Sequence, residues 1–390
     1  MDSFADIRPY NDDEVAPVLR KLLNDKELLD TIAGLRLPRL QRVFPKLVRP
    51  LVRTVLKRQL RGVATVRQFQ QVVKLYMDDM IETTTSRFTV SGLDNLDRNR
   101  PWLLISNHRD IALDPAFVNY ALYHNGGDTV RIAIGDNLLS KPFAADLMRL
   151  NKSFIVKRSA KGPRQMLAAY KTLSNYIRHS LTQEQATIWL AQREGRAKDG
   201  IDVTEPAIIK MLCMSQRKGE EAFADFIKTL GIVPVAISYE WDPCDEAKAR
   251  ELTLRERDGD YLKAEYEDLK SIAMGIRGQK GRVHVHFGEP LAADFETPVE
   301  VAAAVDQQIV QEYRLQPSNI WAYEQQTGSD DWRKLPADVL TELGDLGAAS
   351  RAEFDARMAS IPAEYRTKAV AIYANAVRAK LGRLPAVESA

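Results

Sequence analysis

The chain has 390 residues, 45% of them hydrophobic and 28% charged, with a formal net charge of +2. That is long enough for one large domain with helical additions or for two domains, ordinary for a folded chain, and inconsistent with disorder. A charge so near balance excludes nothing about nucleic acid or membrane by itself, so only its distribution can be informative.

The two cysteines, Cys213 and Cys244, have no metal-type spacing, and neither a zinc site nor a disulfide scaffold is expected. The polar, acidic start does not read as a secretory signal, and no run of about 18 apolar residues occurs. The expectation is a cytoplasmic protein, or one peripheral on the inner face of the cell membrane.

Residues 1–85 read as a helical arm. From Asn11 to about Met80 apolar residues recur at helical spacing, as in Leu19, Leu22 and Leu23, then Leu28 and Ile32. Between Arg39 and Arg61, ends included, stand eight basic residues and no acidic one. Arg42, Lys46, Arg49, Arg53 and Lys57 share one helical face; Leu40, Phe44, Leu47, Leu51 and Val55 share the opposite one. A basic amphipathic helix of this kind suits an anionic membrane surface. The alternative is an apolar face packed on the protein with the cations merely solvated. Pro50 is expected to begin a second helix. No groove-reading or aromatic motif accompanies the charge, so nucleic acid is not an expected partner.

Residues 86–324 read as an α/β domain whose mixed, mostly parallel sheet is flanked by helices. After the turn residues Ser91 to Asn95, β-like runs at Trp102–Ser106, Val130–Ile134, Ser153–Val156, Ala186–Ala191, Val233–Ser238 and Val283–Phe287 alternate with helical stretches. Pro234 suits an edge or the start of a strand. The charged stretch Leu252–Lys263 reads as a solvated excursion, and His284 and His286 as structural residues. Dinucleotide, P-loop and serine-hydrolase motifs are absent at strand-to-helix junctions. His108-Arg-Asp110 is superficially similar to a kinase catalytic loop, but Pro115 stands where that loop requires Asn.

The chemistry centres on Ile105-Ser-Asn-His-Arg-Asp-Ile-Ala-Leu-Asp114. An apolar strand stops at Asn107-His108, and Asp114 precedes a helical run. This puts a histidine at the carboxyl end of a strand, where open α/β sheets keep their ligands, with a carboxylate close enough to orient its ring. Asp114 and Asp110 both qualify as that orienter. Three more strand ends carry charge: Lys157-Arg158, Arg193-Glu194-Gly195-Arg196 with Lys198, and Ser238-Tyr239-Glu240. Lysines and arginines gathered at neighbouring strand ends suit a phosphate.

These blocks resemble the glycerolipid acyltransferases, more the glycerol-3-phosphate and dihydroxyacetone-phosphate branch than the lysophosphatidate branch. Asn107-His108-Arg109 through Asp114 resembles the family's His and Asp block. Leu139 to Arg158 resembles the second, Glu194-Gly195-Arg196 the third, and Val233-Pro234-Val235 the fourth. The strand and turn Val283 to Pro290 also resemble the family, and the likeness covers roughly Phe88 to Leu291. The chain departs from the pattern at several points: five residues rather than four separate His108 from Asp114, Arg196 directly follows Gly195, Arg193 precedes Glu194, and Lys152 stands where Gly is common.

The resemblance implies transfer of a fatty acyl group from acyl-CoA or acyl carrier protein to a hydroxyl of glycerol 3-phosphate or a related phosphorylated acceptor, in phospholipid biosynthesis. His108 and Asp114 would be the catalytic pair, with no metal and no cofactor. Substrate contacts are implied for Asn107, Arg109, Lys157, Arg158, Arg193, Glu194, Gly195, Arg196 and Lys198. Two rival readings keep the scaffold: acylation of a lysophospholipid or other lipid alcohol, and a non-catalytic protein that binds lipid or acyl carrier. Residues 325–390 read as a helical region without chemistry of its own, packed through Trp332, Leu340, Leu343, Leu346, Phe354 and Ile361.

Overall fold

The computed structural model describes residues 2–384 apart from 140, 218, 265 and 345. Met1 of the arm, Ser140 of the second sequence block and residues 385–390 of the C-terminal region therefore lie outside the described residues. Seven strands are present among the described residues: β1 (Thr85–Ser91), β2 (Leu103–Ser106), β3 (Arg131–Gly135), β4 (Ser153–Val156), β5 (Ile188–Ala191), β6 (Ile232–Tyr239) and β7 (Gly281–Phe287). The six predicted strands are all found, with ends within two residues of those read from sequence. The unpredicted one is β1, whose Thr85-Ser-Arg-Phe-Thr-Val-Ser91 run is only half buried and carries no clean alternation.

The chain divides into two compact units. The second comprises Met80–Thr129 and Ile177–Ala390. In it β1 pairs with β7 in parallel, β7 with β6 antiparallel, and β6 with β2 and β2 with β5 in parallel. This is the mixed, mostly parallel α/β arrangement expected. Strands covered on both faces read as continuous apolar runs. Accordingly Leu103, Leu104 and Ile105 have no exposed surface, and every residue of β6 is buried.

Pro234 lies inside β6, with β2 on one side and β7 on the other, rather than at an edge or a start. Its carbonyl accepts from Gly288 N at 2.9 Å. A residue's N–H and C=O point to the same side of a strand, so the missing donor faces the place where β7 has already ended at Phe287.

Helices cover this sheet. Leu113–His124 follows β2, and its Phe117 stacks on Phe88 of β1 at 5.4 Å and meets Tyr239 of β6 edge-on at 5.7 Å. The C-terminal helices Pro317–Thr327, Ala348–Ser360 and Ala363–Lys380 share a core containing Trp332, Leu343, Phe354 and Ile361, with Leu340 and Leu346 partly buried against it. The charged stretch Leu252–Lys263 begins as the end of helix Asp245–Asp258 and is exposed from Arg255 to Asp260, as a solvated excursion should be; Glu251, just ahead of it, is buried.

The first unit comprises Met1–Asp79 and Val130–Tyr176. Here β3 and β4 pair in parallel, and the arm's helices gather Val15, Leu19, Leu22 and Phe69 around Leu150. A smaller cluster joins Leu29 and Ala33 to Val48 and Val52. The basic stretch forms two helices, Pro38–Val43 and Pro45–Gln59. Pro45, not Pro50, begins the second: Pro50 is interior, so a proline ring and a missing donor sit within the first turns of an exposed helix. Lys152 adopts φ 60°, the left-handed conformation that glycine reaches without strain, which gives a physical reason for glycine being common there. Among the described residues no helix is long and apolar enough to cross a membrane.

Candidate active site

In the second unit β2 ends at Ser106, and Asn107 locks that end to β6. The Asn107 amide donates to Ile237 O at 2.9 Å and to Asp202 Oδ2 at 3.3 Å, while its Oδ1 accepts from Ile237 N at 2.8 Å. The amide thus extends the ladder beyond the last strand residue. His108 follows at once, with its side chain 13% exposed and its ring edge-on to Trp189 at 5.8 Å.

Asp114 is wholly buried at the start of helix Leu113–His124 and collects four donors. Its Oδ2 lies 2.8 Å from His108 Nδ1 and accepts from Arg109 N at 2.7 Å and Asp110 N at 2.9 Å. Its Oδ1 accepts the Tyr239 hydroxyl at 2.7 Å. Burial first, then the neighbouring carboxylate, pushes the Tyr239 phenol well above its usual pKa, so it stays a donor. With Nδ1–H directed at the carboxylate, His108 Nε2 is the ring nitrogen able to accept a proton.

The extra residue between His108 and Asp114 is taken up by the loop, whose backbone N–H groups wrap the same carboxylate oxygen. Asp110 turns elsewhere: its Oδ1 accepts from Ala112 N at 3.0 Å and Leu113 N at 2.9 Å, opening the helix. Of the two aspartates, Asp114 is the one against the ring.

Beneath this loop lies a buried charge network. The Arg109 guanidinium points inward to Asp202 at 2.6 Å and Gly200 O at 3.1 Å, over the Tyr313 ring at 5.4 Å. Burial opposes its charge, but Asp202 and Tyr313 more than offset this and hold its pKa above the usual value. Lys248, almost wholly buried, donates to Arg109 O at 2.6 Å and pairs with Asp242. Asp242 N in turn donates to the Tyr373 hydroxyl, which reaches Asp245 at 2.7 Å, and Arg357 pairs with the same Asp245 at 2.7 Å. Gly275 packs directly on Asp110: a Cβ there would stand 2.4 Å from Asp110 Oδ2.

The third sequence block is tied to the loop by its backbone, Ala197 N donating to His108 O at 2.7 Å. Arg196 Nη2 is 3.4 Å from Ser271 Oγ, while its Nη1 is buried with no hydrogen-bond partner among the described residues. Lys198 pairs with buried Glu251, which also accepts from Arg255 at 2.9 Å; burial lowers the Lys198 pKa. Arg193 lies 3.8 Å from Glu205, and Glu194 and Gly195 are exposed, the glycine at φ 76°.

Expected among the substrate contacts, Asn107 and Arg109 instead spend their side chains on buried partners within the protein. Lys157 and Arg158 belong to the first unit. There Arg158 N donates to Asp136 Oδ1 at 3.1 Å, and Lys157 Nζ is 3.5 Å from Asp6. Tyr239, Asp202, Asp242 and Lys248 were not foreseen as parts of the site. Tyr239 alone had a signal, standing in a polar cluster at a strand end. His284 bridges Thr89 and Ser91 of β1 at 2.7 and 2.9 Å, a structural placement. Among the described residues no cluster of three or more His, Cys, Asp and Glu side chains is arranged to hold a metal.

Residues 87–238, from β1 to the last residues of β6, match the acyltransferase family. That segment, somewhat under half of the chain, holds all four sequence blocks, so the match falls where the sequence resemblance was read. It is also similar to the solved 1-acyl-sn-glycerophosphate (LPA) acyltransferase, PlsC, from Thermotoga maritima. That likeness is 12% identical, covers 62% of this chain and 78% of that one, and has a TM-score of 0.35. Comparison with curated proteins gives no match.

Proposed function

We propose that this chain moves a fatty acyl group from an acyl thioester, acyl-CoA or acyl carrier protein, to a hydroxyl of glycerol 3-phosphate or a related phosphorylated acceptor, at the inner face of the cell membrane. The observation that carries the reading is the His108–Asp114 pair at 2.8 Å, at the end of β2 inside the segment that matches the acyltransferase family. His108 Nε2 takes the proton of the acceptor hydroxyl as its oxygen attacks the thioester carbonyl. The tetrahedral intermediate collapses with loss of thiolate, and the imidazolium returns the proton to that sulfur. Asp114 holds the ring tautomer and stabilises the imidazolium while it exists.

For the phosphate, Arg196 is favoured by its unpartnered buried Nη1 and by the neighbouring backbone tie to His108. Arg193 and Lys198 accompany it on the same block. Resemblance alone assigns Arg158 and Lys157 to this role. Arg158→Ala tests that assignment: a raised KM for the phosphorylated acceptor supports it, and an unchanged KM removes the residue from the site.

The deciding experiment is thiol release from long-chain acyl-CoA, with and without glycerol 3-phosphate, beside His108→Ala. Acceptor-dependent release that the substitution abolishes in a folded protein supports the reading. Release with a lysophospholipid and not with glycerol 3-phosphate moves the acceptor. Silence with both acceptors, and with acyl carrier protein as donor, leaves a binding protein on this scaffold.

A further inference from the structure

The arm of the first unit carries an apolar face that its own core leaves uncovered. On helices Pro38–Val43 and Pro45–Gln59 and the residue between them, Leu40 is 48% exposed, Val43 63%, Phe44 53%, Leu47 70%, Leu51 53% and Val55 47%. Helical spacing puts Leu47, Leu51 and Val55 in one row along the longer helix. The adjacent row, Val48, Val52 and Leu56, turns inward onto Leu29 and Ala33. The helix is therefore apolar on two neighbouring rows and needs only one of them for its packing.

The charge around this face has one sign. Of the eight basic residues between Arg39 and Arg61, Arg49 is neutralised by Asp30 at 2.7 Å, and the other seven are exposed. No acidic residue lies in the same stretch. A contiguous apolar patch of this kind marks an interaction site. The one-sided charge selects its occupant. A symmetric contact with a second copy would repeat the patch on itself and set these cations against each other. An anionic bilayer offers acyl chains to the leucine row and headgroups to the flanking lysines and arginines.

We infer that this face docks the protein onto an anionic lipid surface, the helix Pro45–Gln59 lying in the plane of the interface. The inference rests on the proposed lipid-linked reaction only in naming where that reaction runs, and its test does not pass through turnover. The full chain is sedimented with vesicles of phosphatidylglycerol and phosphatidylethanolamine, and with phosphatidylcholine vesicles, at low and high salt. Wild-type protein is expected to bind the anionic vesicles and to lose affinity as salt rises. Leu47→Gln with Leu51→Gln, both at exposed positions, should weaken binding by roughly tenfold per leucine. Lys46→Gln, Arg53→Gln and Lys57→Gln should weaken it by roughly fivefold per cation and flatten the salt dependence.

Failure of the wild type to bind anionic vesicles, or equal binding by the leucine variant, overturns the inference. A wild-type dimer dispersed by the leucine substitutions would assign the face to a second copy and overturn it as well. Acyl-transfer assays with a water-soluble short-chain thioester keep the two readings apart: turnover should survive the leucine substitutions, whereas vesicle binding should survive His108→Ala.

Discussion

Replacing Tyr239 by Phe removes a single oxygen and probes the most consequential contact outside the His108–Asp114 pair. The Tyr239 hydroxyl is the donor to Asp114 Oδ1, at 2.7 Å, and both side chains are buried. The other three donors all meet Oδ2, so Phe leaves Oδ1 without its partner in a place water does not readily reach. Counted as a lost hydrogen bond to a charged group the change costs about 1.5–3 kcal/mol, and counted as a buried acceptor left unsatisfied it costs a similar amount, two measures of one contact. The expected loss is therefore about 2–3 kcal/mol, read as a lower urea midpoint with an unchanged slope for the transition of the second unit. The carboxylate, freed on one side, also holds the imidazole less rigidly. Under the proposed mechanism kcat should fall by roughly tenfold or more while KM for the acceptor stays within about twofold. Unchanged stability together with unchanged kcat would refute the reasoning, since the hydroxyl would then not be supporting the carboxylate that orients His108. Loss of stability with intact kcat would confine Tyr239 to a structural role.

Two other perturbations follow from the same geometry. Gly275→Ala forces a methyl group to within 2.4 Å of Asp110 Oδ2, and overpacking at such a contact should cost about 1–3 kcal/mol; an unchanged melting temperature would mean that helix Glu267–Arg277 does not press on the loop. Acid sensitivity should come in part from His284, whose pKa burial lowers to about 3, so that it is neutral when folded. Its stabilising contribution is fully present above the unfolded pKa of about 6.5 and is lost as pH falls toward 3, amounting to about 2 kcal/mol by pH 5. Chemical denaturation at pH 7 and pH 5, beside His284→Gln, checks this; an equal loss in the variant would place the sensitivity elsewhere.

Much of the sheet was legible because its strands are fully buried and therefore announce themselves as unbroken apolar runs between turns. β1 escaped for the opposite reason, since none of its residues is fully buried and the hydrophobic signal is dilute. The His108–Asp114 pair was legible because both residues belong to one local strand, turn and helix. What surrounds them was not. Lys248 reaches Arg109 O across 139 residues of chain, and Tyr239 reaches Asp114 across 125, distances over which no periodicity carries information. Nor does residue type reveal direction. Asn107 and Arg109 stand beside the histidine in sequence, as substrate contacts do, yet their side chains turn into the protein and fix its backbone. On the arm, amphipathicity was visible, but only the structure shows that the inward row is Val48, Val52 and Leu56 and that the leucine row beside it is left over.

The tie between Tyr373 and the buried charges beneath His108 bears on how the protein is made. Ribosomes deliver the chain from its amino end, and the acyltransferase segment 87–238 emerges well before helix Ala363–Lys380. Until that helix arrives, Asp245 lacks Tyr373, the Asp242 backbone lacks its acceptor, and Asp199 O waits for Asn375. The segment that holds His108 is thus synthesised early, and the buried charges beneath it are completed late. Chaperone dependence and early proteolysis should fall on the stretch around Asp242, and a stop codon ahead of the last helix should yield protein that is degraded rather than merely less active.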